Sequence, residues 1–273
     1  MIKIFFIVVV SIIILCIFSF IHKLESFDDD ESYIFAYGSL VNDNSLISTL
    51  FHINLHDESI NALEKIVPNS EIMQNSIQTE NKLIPCRIKG IKRQWNFSPK
   101  QTDNFITKPT LYLSADFAEY NYTCNGVLIP VSKSELDIID KRETGYIKKE
   151  IRMNNVIAIG NQTVDVNKKI FFYAYENNNK INYNEIPIVQ SYIDLCMNGF
   201  IQIDRKLKNQ EYQFTNEFVD TTYGWDKSKW INDRIYPYRP HIFTPNASII
   251  DKILSSKLNS FQIKILYPVL WKQ

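Results

Sequence analysis

The sequence predicts an α+β domain carried behind one membrane-spanning helix. Three observations predict it. The chain opens on a long apolar run without charges, it continues from residue 33 as short β-branched and aromatic runs separated by turn signals, and it holds two amphipathic stretches with helix start and stop signals. With 273 residues, 45% hydrophobic and 22% charged, the chain can bury a sizeable core and is not a disordered protein. Thirty basic and thirty acidic side chains cancel, which excludes a general electrostatic attraction to nucleic acid.

The apolar run is Ile4 to Ile21, IFFIVVVSIIILCIFSFI, eighteen residues against a hydrocarbon core of about 30 Å. It reads as a single-pass anchor over residues 1–24. The competing reading is a cleaved signal peptide, whose apolar run is usually about 7–15 residues and ends at a small-residue site that this stretch lacks. Leu15 before Cys16 argues against lipidation. Lys3 faces His22 and Lys23 across the run, so the side of the membrane that holds the body is left open. Sequons at Asn96, Asn121, Asn161 and Asn246 permit glycosylation, although an Asn-rich chain produces them by chance. Residues 25–32, with Asp28, Asp29, Asp30 and Glu31, form an acidic linker. Cys86, Cys124 and Cys196 have no paired spacing, so buried thiols are expected and neither a disulfide framework nor a zinc site.

Tyr33 to Asn42, YIFAYGSLVN, reads as a strand that delivers a Gly-Ser turn. Gly38 can take a positive φ or let the backbone approach a ligand, and Ser39, Leu40 and Val41 then each present an amide, a nest suited to a carboxylate or oxyanion. An ordinary turn is the competing reading. A short helix is expected over Ser45 to Phe51. His52 and His56 have a metal-compatible spacing but no acidic partner motif, and read as surface residues. Pro85 to Phe97 alternates apolar and basic residues, predicting a half-buried strand bent at Gly90 with its cations outward. Thr110 to Leu113 and Cys124 to Val131 are further strands.

Ser132-Lys133-Ser134-Glu135 has the spacing of a capping box, so a helix is expected to start there and to stop at Gly145. Glu143 falls in its last turn, where the negative end of the helix dipole opposes a carboxylate. An exposed ion pair with Arg142 or Lys141 is the plain explanation; a functional one is the alternative. Tyr146 to Ile159 and Asn167 to Tyr175 read as a hairpin whose turn starts at Gly160-Asn161. Pro187 opens an amphipathic helix with Val189, Tyr192, Ile193, Cys196, Met197 and Phe200 on one face and Gly199 near its end. From 210 onward the chain is aromatic and interrupted by prolines. It reads as a wrapping segment that packs Trp225, Trp230 and Tyr236 on the body, closed by a helix near Ile249 to Leu258. A nucleic-acid stacking platform is disfavoured by the neutral charge.

FAYGSL at 35–40, CNGVLIPV at 124–131, SELDIIDKRE at 134–143 and GYIKKEI at 145–151 occur in an order that resembles the gamma-glutamylcyclotransferase superfamily. The resemblance covers roughly residues 33–202 and leaves 203–273 as an aromatic-rich extension. It implies a small mixed, barrel-like sheet flanked by helices. It also implies a transferase or lyase reaction in which the α-amine of a γ-glutamyl group attacks its own γ-carbonyl, giving 5-oxoproline and a free amine or amino acid. Glu143 is then the catalytic acid and base. Phe35, Ala36, Tyr37, Gly38, Ser39 and Leu40 form the substrate loop, and Tyr146 and Tyr192 approach the substrate. The chemistry requires no metal or organic cofactor, and the partner is a small γ-glutamyl molecule: glutathione, a γ-glutamyl amino acid, a γ-glutamyl-lysine remnant or another amide. The alternative is a membrane-tethered protein of the same fold that binds γ-glutamyl groups or a host partner without turnover. The oligomeric state is left open.

Overall fold

The computed structural model describes residues 32–50, 83–98, 109–175, 186–226, 229–235, 237 and 246–258. The expected anchor, nearly all of the acidic linker, His52, His56 and Tyr236 lie outside the described residues. No helix among the described residues is long and apolar enough to cross a membrane.

A six-stranded mixed sheet forms the body. Its centre is β1 (Ser32–Ala36), five residues buried on both faces, which explains why that stretch reads as continuously apolar instead of alternating. On one side β1 runs antiparallel to β5 (Thr123–Val131), with Ala36 opposite Val127. On the other it runs parallel to β8 (Lys169–Ala174). Beyond β5 lie β2 (Ile84–Lys89) and the edge strand β7 (Val156–Ala158), and beyond β8 lies the other edge, β6 (Ile147–Ile151). A three-stranded sheet holds β3 (Ile91–Phe97) between β4 (Tyr112–Phe117) and β10 (Thr222–Tyr223). The two sheets join at two corners. Gly90, at φ +76°, turns β2 into β3, and the Tyr175 N–H donates to the Ala115 carbonyl where β8 meets β4 (3.2 Å).

Among the described residues five α-helices complete the α+β architecture: α1 (Asp43–Leu50), α2 (Lys133–Arg142), α3 (Gln190–Lys206), α4 (Gln213–Asp220) and α5 (Ala247–Lys257). The α2 start follows the sequence signal. Ser132 Oγ accepts from the Glu135 N–H, and the Glu135 carboxylate accepts from the Ser132 N–H. At α4, Tyr212 lies in the left-handed region and supplies no side-chain cap. Asp204 of α3 caps it from outside, taking the Phe214 and Thr215 amides at 2.9 Å each.

Five expectations need correction. Tyr146 to Ile159 is not one strand: Met153–Asn155 forms a 3₁₀ turn that carries the chain from β6 to β7, at the far edge of the sheet. Of these two strands β6 pairs with β8 and β7 with β2, so Gly160-Asn161 is not the turn of that hairpin. Pro187 does not open α3; Ile188–Val189 (β9) first pairs with Trp230–Ile231 (β11). Gly199 lies well inside α3, where a Cβ would stand 2.5 Å from the Asn42 nitrogen, so its bare backbone lets the helix press on the Gly-Ser turn. The last correction concerns the cations of β2 and β3. Arg87 and Lys92 are partly exposed and Lys89 is exposed, but Arg93 is wholly buried.

The segment after residue 203 contributes to the same core. α3 runs through that position, Phe214 and Phe218 of α4 pack on Phe200 at 5.4 and 4.5 Å between ring centroids, and Trp225 and Trp230 are both buried. Arg234 pairs with the buried Asp194 of α3 (2.7 Å) and with Asp251 of α5 (2.8 Å). Cys86, Cys124 and Cys196 are buried thiols.

Candidate active site

β1 ends at Ala36, and the chain then has to turn, because α3 stands across its path. Ser39–Val41 winds one 3₁₀ turn, with the Val41 N–H donating to the Gly38 carbonyl and the Asn42 N–H to the Ser39 carbonyl, both at 3.1 Å. This changes the expected nest. The Val41 amide is used inside the turn, whereas the Ser39 and Leu40 amides precede the first intraturn bond and lie at its positive end. Gly38 does not use a positive φ; it sits at φ −139°. What its missing side chain provides is space, since a Cβ there would meet Tyr192 Oη at 3.5 Å and Leu113 Cδ1 at 3.6 Å.

The turn forms one wall of a cleft with about 350 Å³ of empty volume, counting its open mouth. Phe35, Ala36, Tyr37, Gly38, Ser39, Leu40, Glu143, Tyr146 and Tyr192 all line it, together with Leu113 and Tyr173. The nine residues that the resemblance assigns to the site thus line one cleft. Leu113 and Tyr173 were missed. Both belong to strands whose apolar and aromatic content reads as ordinary core, and no local signal marks them.

Glu143 reaches the cleft because it has left the helix. It is the C-cap of α2, at φ −84° and ψ 33°. Gly145, at φ +97°, then reverses the chain so that the Tyr146 N–H donates to the Glu143 carbonyl. The Glu143 carboxylate accepts from Arg142 Nη1 at 2.7 Å, with side-chain exposures of 16% for Glu143 and 29% for Arg142. This is a half-buried pair and not the loose surface contact that the sequence also allowed. The guanidinium offsets the unfavourable helix end, and its Nη2 donates to Ser39 Oγ (3.3 Å) and Ser45 Oγ (3.4 Å).

The tyrosines place their hydroxyl protons inside the protein. Tyr37 donates to the Tyr173 carbonyl (2.6 Å), Tyr146 to the Leu113 carbonyl (2.9 Å) and Tyr173 to Asp140 (2.6 Å). Burial, and then the nearby Glu143 charge, push the Tyr37 phenol well above its ordinary pKa. Burial, and then the hydrogen bond to Asp140, raise Tyr173 in the same direction. Both phenols therefore stay neutral. With their protons committed, their oxygens keep acceptor capacity beside a carboxylate, while the turn offers amide donors a short distance away. Acceptors beside donors complement an α-amino acid head, ammonium on one side and carboxylate on the other.

Beneath the turn lies Arg93, which sequence reasoning placed on the surface. Its guanidinium donates to the carbonyls of Tyr37 (3.1 Å), Asn125 (2.8 Å) and Phe218 (3.0 Å), to Asn125 Oδ1 (2.9 Å), and to the hydroxyls of Thr221 (2.9 Å) and Thr222 (2.7 Å). Phe218 stacks on its face at 4.3 Å. Burial holds its pKa below the usual value. Among the described residues no group of three His, Cys, Asp or Glu side chains could hold a metal ion.

No family model matches the chain, and no curated relative does. Solved structures similar to it include one named "Gamma-glutamyl cyclotransferase", at 13% identity and TM-score 0.38, covering 81% of this chain and 98% of that one. An uncharacterized protein from Homo sapiens is similar at 13% identity and TM-score 0.39, covering 72% of this chain and 91% of its own. A Bacillus subtilis protein, YkqA, is similar at 16% identity and TM-score 0.37, covering 70% of this chain and 58% of its own.

Proposed function

We propose that the chain is a γ-glutamyl cyclotransferase, cyclising a γ-glutamyl amide to 5-oxoproline with Glu143 as base and then acid. One observation carries this reading: Glu143, the one acidic side chain among the described residues that line the cleft, shares that cleft with a turn whose Ser39 and Leu40 amides precede its first internal hydrogen bond. The α-ammonium of the substrate gives a proton to Glu143, and the freed amine attacks the γ-carbonyl carbon. As the tetrahedral intermediate collapses, the bond to the departing nitrogen breaks and that nitrogen takes the proton back from Glu143, which then removes the ring nitrogen's second proton and passes it to the released amine, leaving a lactam N–H and an ammonium product. The atoms balance without water or a co-reactant. The Ser39 and Leu40 amides hold either the substrate carboxylate or the developing oxyanion, donors that need no reorganisation. Tyr37, Tyr146 and Tyr192 wall the substrate into the folded shape from which the five-membered ring closes.

Tethering of this domain to a membrane by residues 1–24 belongs to the same proposal, and it rests on the uncharged run alone. The full chain in detergent, offered a panel of γ-glutamyl amines and peptides, should release 5-oxoproline from at least one. Tight binding of a γ-glutamyl ligand with no product from any of the panel would establish the binding-only alternative instead. Sedimentation with liposomes, lost when residues 1–24 are removed, tests the anchor.

A further inference from the structure

We infer that Arg142 is a positioning residue, which locks the Glu143 carboxylate to the Gly-Ser turn so that base and substrate-binding amides share one frame. Adjacent residues on a helix do not face each other. Arg142 and Glu143 meet only because Glu143 has turned out of the helix at ψ 33°, so the pair is a product of the helix end and not of helical spacing. One planar guanidinium then spans three elements. Nη1 holds Glu143 Oε1 at 2.7 Å beyond the end of α2, while Nη2 reaches Ser39 Oγ in the 3₁₀ turn and Ser45 Oγ in α1. A lysine ammonium has no rigid fork with which to hold a carboxylate and two hydroxyls at once. Arg142 is not among the residues that line the cleft. It therefore acts from behind, through Glu143 and Ser39.

The kinetic part of this inference rests on the cyclotransferase reading; the structural part does not. The test uses the full chain in detergent as parent, Arg142→Ala and Arg142→Lys. In the ligand-free protein, hydrogen exchange of the Val41 and Asn42 amides should quicken about five- to tenfold in Arg142→Ala, as expected for losing about one net hydrogen bond, and less in Arg142→Lys. In turnover, kcat should fall about 10²-fold for Arg142→Ala, the scale of a misplaced catalytic group. KM should stay within about threefold, and added guanidinium ion should restore part of the rate to Arg142→Ala alone. Unchanged exchange overturns the inference whether or not the parent turns over. So does a loss of rate that guanidinium does not relieve and that comes with a lowered melting temperature, since that is a general structural role. A parent without turnover whose exchange does respond overturns the proposed reaction and leaves the Arg142 tie standing.

Discussion

The Gly-Ser turn is held by an arginine on each side, and the two could hardly differ more. Arg142 is part exposed, bonds a carboxylate and touches the turn through a serine hydroxyl. Arg93 is wholly buried, makes six hydrogen bonds to neutral oxygens and touches the turn through the Tyr37 carbonyl. A cation without an adjacent carboxylate is costly to bury, and it persists only where its donors are all used. The inner arginine therefore belongs to the fold. It ties β1 to α4 and β10, elements from the C-terminal part of the chain. The outer one belongs to the chemistry. The contrast predicts that damage from below the turn reaches stability first, and damage from the cleft side reaches rate first.

The largest effect should come from Arg93→Leu. Leucine can pack against Phe218 and Phe200, but it donates nothing. The Phe218 carbonyl keeps the Thr222 hydroxyl (2.6 Å), while the Tyr37 carbonyl and the two Asn125 oxygens lose a buried donor, at about 1–3 kcal/mol for each group left unsatisfied. A loss above about 3 kcal/mol, seen as a melting temperature lowered by roughly 6–12 °C, is expected. A variant that melts with the parent would dissolve the contrast, since Arg93 would then be no more structural than Arg142.

Glu143→Gln is expected to do the reverse. Its size is kept and its neighbours remain, so melting should hardly change, while turnover falls by about 10²–10⁴-fold, the usual contribution of a positioned proton carrier. Asp140→Asn and Glu135→Gln are the controls on the same helix. Asp140 pairs with Tyr173 and Lys148, and Glu135 completes the cap, so each should cost some stability and little rate. If Glu143→Gln keeps more than about a tenth of the parent rate, the assignment of the base fails and Asp140 becomes the carboxylate to examine.

A smaller effect should appear in alkali. Tyr37 has a folded-state pKa raised well above its unfolded value near 10. Below about pH 10 both states hold the proton and no dependence on pH arises from this group. Above it the unfolded state ionises first, so the folded state binds more protons and stability falls as pH rises, by about 1.4 kcal/mol per pH unit. Tyr173 is raised in the same direction and should add to the trend. Urea unfolding between pH 9 and 11 in Tyr37→Phe, compared with the parent, measures the difference. A slope that survives the substitution unchanged would assign alkaline loss elsewhere.

What could be read from the sequence follows the same division. The strand and turn at 33–42, the helix start at Ser132 and a glutamate shortly before a glycine stop are written in local chemistry: continuous apolar residues, a Ser-x-x-Glu box and Gly145. Those parts carry the outer face of the site. That Glu143 leaves the helix as its C-cap, where its last turn was expected, is not written there. Arg93 was misread although its parity with Ile91 and Trp95 puts all three on one buried face of the strand; nothing local announces the partners that satisfy a cation there, since Phe218, Thr221 and Thr222 come about 125 residues later. The break of residues 146–159 into β6 and β7 was hidden for a similar reason. Its apolar pattern continues through Met153, yet the 3₁₀ turn there sends the chain to the opposite edge of the sheet, a choice made by pairing with β2. Tyr173 was missed as a wall of the cleft because nothing in KIFFYA separates it from the core aromatics beside it.

The finest test of the division is at Gly38, where a single methyl separates the two roles. The backbone there, at φ −139°, lies outside the region that favours glycine, and an added Cβ would find only ordinary contacts, 3.5 Å to Tyr192 Oη and 3.6 Å to Leu113 Cδ1. Folding should tolerate Gly38→Ala, with stability within about 0.5 kcal/mol of the parent. Both contact atoms, however, belong to walls of the cleft. The methyl occupies space that the substrate head would fill, and one misplaced methyl in a fitted pocket is worth roughly tenfold or more in discrimination. KM should rise by about that factor while kcat changes less. The opposite position, Gly199, makes the comparison sharp, because a Cβ there strikes the backbone of Asn42 at 2.5 Å from the α3 side and has nowhere to go. Equal losses of stability at the two glycines would mean that the turn is gripped alike from both sides and that Gly38 serves the fold. A binding defect at Gly38 without a folding defect would keep the cleft side of the turn for the substrate.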